Sequence, residues 1–294
     1  MRGKRSMAGL LKRLVPKRFR NDGLLIPVVR LHGAIMSGGG RFKQQLNLAS
    51  VAPALEKAFS KKDSPAVVLS INSPGGSPVQ SRMIFDRVRA LAEEKNKRVL
   101  VFVEDVAASG GYMIALAGDE IFADATSIVG SIGVVSGGFG FPELLKKIGV
   151  ERRVYTSGEN KVILDPFQPE KESDIDYLKS LQLEIHEIFI DMVKSRRGSV
   201  LADDPDLFSG LFWTGRRGLQ LGLVDSLGDM REEIKKRYGR DAKLELVSGS
   251  RDFFGRRLPG VGASGAGMEQ MAAAAVSGLA DTLEEKALWS RYGL

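Results

Sequence analysis

Two short apolar runs constrain this chain most, because each ends in a glycine-bearing loop and leads into a helical pattern. Ala66-Val67-Val68-Leu69-Ser70-Ile71 is followed by Asn72-Ser73-Pro74-Gly75-Gly76-Ser77-Pro78. Val99-Leu100-Val101-Phe102-Val103 leads on to Ala107-Ala108-Ser109-Gly110-Gly111-Tyr112-Met113. Runs this short, apolar and β-branched read as buried strands. Ser77 suits a helix N-cap and Pro78 a first helical position. The helix then runs through Ile84, Val88 and Leu91 and ends at the exposed turn Glu93-Glu94-Lys95-Asn96-Lys97. Strand, helix, strand, helix is the pattern of a parallel sheet with crossover helices. Both glycine loops then leave the carboxyl ends of strands on one sheet edge, where open α/β folds place their sites.

The remaining pattern extends this α/β reading. A first strand is expected over 24–31, a glycine-rich loop over 33–40 and a helix over 47–59 with Val51, Leu55 and Phe59 on one face. A short strand follows at 121–123, then a β-branched run at 127–135, a helix at 141–148 and an extended stretch at 152–156. Residues 174–196 read as one amphipathic helix, with Leu178, Leu181, Ile185, Ile188, Phe189 and Met192 on its apolar stripe. Residues 203–212 form a polar-then-aromatic connection, 216–221 and 232–238 are helical, and 244–247 form a last strand. The expected organisation is a basic arm at 1–23 and a main domain at 24–247. A Gly/Arg-rich linker follows at 248–267, and an amphipathic helix at 268–294.

Charge is needed to weigh possible partners. The net charge is +7, yet Arg2, Lys4, Arg5, Lys12, Arg13, Lys17, Arg18 and Arg20 all precede the first acid, Asp22. The main domain is therefore slightly acidic, which argues against nucleic acid as a partner. Leu10, Leu11, Leu14 and Val15 give the arm a short apolar face cut by Pro16. That face is too short for a transmembrane span, and it lacks the apolar core and cleavage site of a signal peptide. The reading is a cytoplasmic protein or one peripheral to the membrane, with residues 1–20 open to a weak membrane contact.

Candidate chemistry centres on Ser109. A serine between a buried strand and a helix sits at a helix N-terminus, where free backbone N–H groups carry partial positive charge. Gly110 and Gly111 let a substrate approach closely. This arrangement suits a nucleophile beside an anion-stabilising site, while the bland alternative is an N-cap serine in a loose turn. Pro74-Gly75-Gly76 is likewise either a tight turn or a second source of N–H donors. The chain has no cysteine, which removes thiolate metal sites and a thiol nucleophile, and no cofactor or metal is expected. Its two histidines, His32 and His186, fall at the end of a strand and within the long helix, neither on a site loop. A lysine can replace histidine as base only when neutral, which from a free pKa near 10.4 costs about 4.6 kcal/mol at pH 7. Lys161, in the loop Ser157-Gly158-Glu159-Asn160-Lys161 before Val162-Ile163-Leu164, is either that base or a solvated charge.

Taken in order, Asn72-Ser73-Pro74-Gly75-Gly76, Ala108-Ser109-Gly110-Gly111-Tyr112, Gly130-Ser131-Ile132-Gly133-Val134, Ser157-Gly158 with Lys161, and Gly222-Leu223-Val224-Asp225 resemble the signal peptide peptidase A (protease IV) family. The resemblance covers about residues 24 to 247. It implies a Clp protease/crotonase-like α/β fold of repeated β-β-α-type units, and a serine endopeptidase with a Ser–Lys dyad. The nucleophile falls on Ser109, the general base on Lys161 and the lysine-orienting hydroxyl on Ser131. The oxyanion-hole amides fall on Gly75, Gly76 and Gly110. Expected substrates are signal-peptide remnants or other short or unfolded peptides, bound extended along a strand edge. The short, single-repeat form implies a homo-oligomeric ring, and the family's usual N-terminal membrane anchor is not evident. A crotonase-like acyl-CoA enzyme and a non-catalytic oligomeric scaffold on the same fold are the alternatives.

Overall fold

The computed structural model describes residues 23–37, 45–248, 282–283 and 285–294. The arm expected up to residue 22, part of the expected glycine loop, nearly all of the expected linker and residues 268–281 and 284 of the expected C-terminal helix lie outside the described residues.

The described chain is mixed α/β around one mostly parallel sheet. In chain order the elements are β1 (Leu25–His32), α1 (Leu48–Phe59), β2 (Ala66–Ser73), α2 (Pro78–Lys95), β3 (Arg98–Ala108), α3 (Gly110–Ala115), β4 (Glu120–Ala123) and β5 (Ile128–Gly130). Then come α4 (Pro142–Lys147), α5 (Glu172–Arg197), β6 (Phe212–Thr214), α6 (Gly215–Gln220), β7 (Ser226–Leu227), α7 (Met230–Tyr238) and β8 (Lys243–Leu246). The main path through the sheet is β6-β5-β3-β2-β1-β8, and only the β5–β6 pair is antiparallel. β3 forks: its first half pairs with β4, and its last three residues pair with β5.

Alternation along the strands explains the two cores. Val29 and Leu31, Val67 and Leu69, and Val99 and Val101 face one way, toward α1, α2 and α3, in the larger core. Ile26, Val28, Val68, Leu100 and Phe102 face the other way and pack with Ile234 of α7 and with Phe122, whose ring stacks on Phe102 at 4.6 Å. Each such side chain contributes about 1.5–3 kcal/mol by leaving water. Toward the carboxyl ends this second face turns polar, with Arg30, His32, Ser70, Asn72 and Glu104 along it. Local signals set the helix starts. Asn47 and Ser50 form a capping box at α1, and Ser77 caps α2 with Pro78 in its first turn.

Gly222-Leu223-Val224-Asp225 works as a latch behind the sheet edge. Arg197, almost fully buried, donates to both Asp225 carboxylate oxygens at 2.9 and 3.0 Å and to the Gly222 carbonyl at 2.8 Å. Asp225 also accepts the Ile121 N–H, and the buried Tyr112 hydroxyl donates to the Leu223 carbonyl at 2.8 Å. Burial raises the Tyr112 pKa, so the phenol stays neutral and remains a donor. This latch ties α3, which starts at the candidate nucleophile, to α5 and β4.

Three features differ from the sequence reading. β3 is longer than its apolar run, because Glu104 and Asp105 continue the strand on the polar part of the sheet face. The β-branched run after Ser127 pairs only over Ile128–Gly130, and Phe212–Thr214 forms an unexpected antiparallel edge strand. The stripe of α5 is buried only from Phe189 onward, with Leu181 and Ile188 exposed, because little packs on the first half of that helix. Among the described residues, no helix is long and apolar enough to cross a membrane.

Candidate active site

Ser109 joins β3 to α3 in a backbone conformation that L-residues rarely adopt, φ 51° and ψ −122°. Such strain costs on the order of 1–3 kcal/mol and persists only where surrounding structure enforces it. Here the Ser109 N–H donates to the Gly130 carbonyl at 2.8 Å, and its carbonyl accepts the Met113 N–H at 3.0 Å. The side chain makes no capping bond to α3 and is half-buried. The hydroxyl is thus held at the start of a helix yet left free for other chemistry.

The two glycine loops meet there. Gly75 has φ +100°, and its hydrogen points at the Ala108 carbonyl, the Ser109 β-carbon and the Gly110 nitrogen. Gly111 packs equally tightly against the Ser73 carbonyl. The Gly75 N–H donates to Ser73 Oγ at 3.3 Å. Gly110, at the first position of α3, has no intrahelical acceptor for its amide. Ile35 brackets the turn from outside, accepting the Ser77 N–H at 2.7 Å and donating to the Gly75 carbonyl at 2.8 Å. The bracket uses the Ile35 and Ser77 N–H groups and leaves the Gly76 N–H outside it. Gly76, Ser109 and Gly110 line one cleft of about 400 Å³, whose other walls include Met113, Val134, Ile185 and Phe189. An apolar cleft with a hydroxyl and clustered backbone amides on one side suits an extended, weakly polar acyl substrate.

Ser131 is brought beside this cleft. It follows Gly130, the residue in register with Ala108, and is buried with φ 53°. Its N–H donates to the Leu211 carbonyl at 2.7 Å. The Tyr292 hydroxyl lies 3.3 Å from Ser131 Oγ and 3.4 Å from the Pro74 carbonyl, and its ring packs edge-on against Phe212. The sequence reading left this C-terminal segment unplaced. Residues 285–290 are helical, and Leu288 and Arg291 form part of the cleft wall.

Lys161 is not among the residues that line the cleft at Ser109. It is exposed on a lobe spanning residues 133–188, in which no residue is buried. The lobe packs on itself through Phe139, Phe141 and Phe167 and through Arg152, which lies over the Phe167 ring and pairs with Asp165 at 3.0 Å. Much apolar surface stays open on it, with Phe139 81% and Tyr155 90% exposed. Neither histidine is poised as a base. His186 Nε2 donates to the Ile132 carbonyl at 3.0 Å. His32 lies on the polar sheet face with Ser70 at 3.1 Å and Glu104 at 3.3 Å, and burial lowers its pKa against the raising effect of Glu104. Among the described residues, no group of three or more acids and histidines could hold a metal ion.

A strained serine on a strand-to-helix junction, beside two glycine loops, is an arrangement that suits nucleophilic acyl transfer. Residues 91–244 match the family model for peptidase family S49, so the chain belongs to the SppA/S49 peptidase family. It is 34% identical to a putative protease, slr0021, of Synechocystis over 74% of this chain and 76% of that protein. It is 29% identical to the chloroplastic serine protease SPPA of Arabidopsis thaliana over 88% of this chain and 39% of the relative. A Brucella abortus protein named Na(+)/H(+) antiporter NhaA is 65% identical over 98% of this chain, and the chain spans 40% of that protein's length.

One test concerns the C-terminal segment. Leu288 and Arg291 line the cleft and the Tyr292 hydroxyl reaches the Pro74 carbonyl at its edge. Deleting residues 285–294 is therefore expected to raise the rate at which a fluorophosphonate labels Ser109 several-fold. Unchanged or slower labelling would mean that the segment supports the cleft rather than covers it.

Proposed function

We propose that the chain is a serine endopeptidase of Clp/crotonase-like fold, working through an acyl-enzyme with a Ser–Lys dyad. The observation that carries this reading is the strained Ser109 beside the Gly75-Gly76 turn and the Gly110 amide in an apolar cleft. Ser109 Oγ attacks a peptide carbonyl while a neutral lysine takes its proton. The tetrahedral oxyanion is held by the Gly110 N–H and the amides of the Gly75-Gly76 turn. Collapse expels the amine, which receives the proton from the lysine, and water then cleaves the acyl-enzyme by the same route in reverse. Substrates are signal-peptide remnants or other short or unfolded peptides with small or apolar side chains.

The base in this reading is Lys161 of a second copy, with Ser131 orienting its amine. The lobe that carries Lys161 has no buried residue and exposes large apolar side chains, as expected of a surface completed by association. A crotonase-like enzyme would not need Lys161, and a scaffold would not need the strain at Ser109. An antiporter's path requires membrane-crossing segments. The stretch shared with the antiporter-named relative carries the serine and glycine loops instead, so transport is not proposed for it.

The test is labelling by a fluorophosphonate and hydrolysis of a short fluorogenic peptide, both expected to vanish in Ser109→Ala. A protein that neither labels nor cleaves would overturn the reading. Complementation tests the shared site. Ser109→Ala and Lys161→Ala are each expected to be inactive. Mixed as equal parts and reassembled, they should recover about a quarter of wild-type activity, the share of sites pairing an intact serine with an intact lysine. No recovery in a co-assembled mixture would place both groups in one chain.

A further inference from the structure

We infer that Asn72 is a positioning residue that sets the distance between the nucleophile and the oxyanion turn by clamping a bulge in β3. This rests on the reading of Ser109 as the nucleophile. β2 and β3 pair residue for residue from Ala66 and Arg98 up to Ile71 and Val103, and the next pair is Ser73 with Ala107. β3 therefore carries two extra residues between these pairs. The bulge ends just before Ala108 and Ser109, so its geometry fixes where the nucleophile lies relative to Gly75.

An irregular ladder leaves backbone groups without strand partners. The Val106 N–H, on a fully buried residue, is taken by Asn72 Oδ1 at 3.2 Å. The other end of the same amide donates to Asp105 Oδ2 at 2.6 Å. Asn72 thus spans the bulge with both halves of its side chain, and neither half lines the cleft. Its backbone carbonyl accepts the Gly33 N–H at 2.9 Å, fixing β2 to β1 at the same level. The rest of the bulge is held by neighbours. Glu104 accepts from Ser70 Oγ, and its carbonyl accepts from Ser127 Oγ at 2.5 Å. Beyond the bulge, regular pairing resumes as Val106, Ala107 and Ala108 meet Ile128, Val129 and Gly130. Asn72 belongs to the strand that runs into Pro74 and Gly75, while Val106 belongs to the strand that runs into Ser109. One side chain therefore couples the two halves of the site.

The chemistry of the pair yields a specific exchange experiment. Asn72→Ala removes both bonds, and Asn72→Asp sets two carboxylates against each other. Both are expected to lower kcat about 100-fold with KM little changed, the scale for a reacting group misplaced by about 1 Å. In the double variant Asn72→Asp, Asp105→Asn, the carboxylate at 72 accepts from the Val106 N–H and from the new amide, so kcat should return to within about fivefold of wild type. Fluorophosphonate labelling per folded protein is expected to follow the same order. Amide exchange at Val106, which needs no activity, should be slow in the wild type and the double variant and fast in Asn72→Ala. Wild-type kcat in Asn72→Asp, or no recovery in the double variant, would overturn the inference. So would unchanged Val106 exchange in Asn72→Ala. If Ser109→Ala leaves wild-type hydrolysis intact, the peptidase reading fails instead, and Val106 exchange still decides whether the clamp exists.

Discussion

Replacing Lys161 with arginine is expected to abolish peptide hydrolysis nearly as completely as replacing it with alanine. General-base catalysis of this kind contributes about 10²–10⁴-fold to the rate. In the proposed dyad the base accepts a proton from Ser109, and an arginine with pKa above about 12 has no free pair to accept it. Charge is therefore retained in Lys161→Arg while function is lost. Folding is expected to survive both substitutions, because Lys161 is exposed on a lobe with no buried residue and its side chain supports no core. Ser131→Ala should weaken hydrolysis less, by loosening the amine rather than removing it. The competing reading treats Lys161 as a surface cation near the substrate and predicts that arginine substitutes well. Hydrolysis of a short fluorogenic peptide by purified variants of equal oligomeric state separates the two. Near-wild-type turnover in Lys161→Arg would reopen the search for the base. His32 would be a poor successor, since it sits on the polar sheet face with Ser70 and Glu104.

The strands, the Ser77 cap and the junction at Ser109 were legible because each depends on a few neighbouring residues. An apolar β-branched run, a Ser-Pro pair and a Ser-Gly-Gly step carry their physics locally. The bulge in β3 was not legible, because Glu104 and Asp105 look like a solvated turn until Ser70, His32 and Asn72 arrive from neighbouring strands to meet them. The exposed start of α5 was missed for the opposite reason. Periodicity shows that Leu181 and Ile188 share a stripe, but not whether anything covers it. Edge strand β6 is too short to carry a pattern, and Trp213 is fixed there by its ring lying against Gly130. The proposed pairing of Lys161 with Ser109 would depend on lobe placement and association, which spacing along the chain does not encode. The same holds for Tyr292, which reaches Ser131 across 161 residues.

Gly75→Ala is expected to cost both stability and far more activity than stability alone explains. Gly75 has φ +100°, a region where a β-carbon strains the backbone by about 1–3 kcal/mol. The added methyl would also stand 2.8 Å from the Ala108 carbonyl oxygen, 2.8 Å from the Ser109 β-carbon and 2.9 Å from the Gly110 nitrogen. None of these is the end of a flexible side chain, so the strand, the nucleophile or the turn has to shift. Whichever moves, Ser109 and the amides of the Gly75-Gly76 turn separate. Losing one properly aimed oxyanion donor lowers kcat by about 10²–10³-fold, and displacing the nucleophile adds to that. A merely structural turn predicts a different outcome, in which a lower denaturation midpoint accompanies normal turnover by the fraction that remains folded. Turnover per folded molecule and the denaturant midpoint, measured on the same preparation, distinguish the two. Full turnover in folded Gly75→Ala would remove this turn from the catalytic apparatus and leave only the helix-start amides at Gly110 and Gly111 to hold an oxyanion.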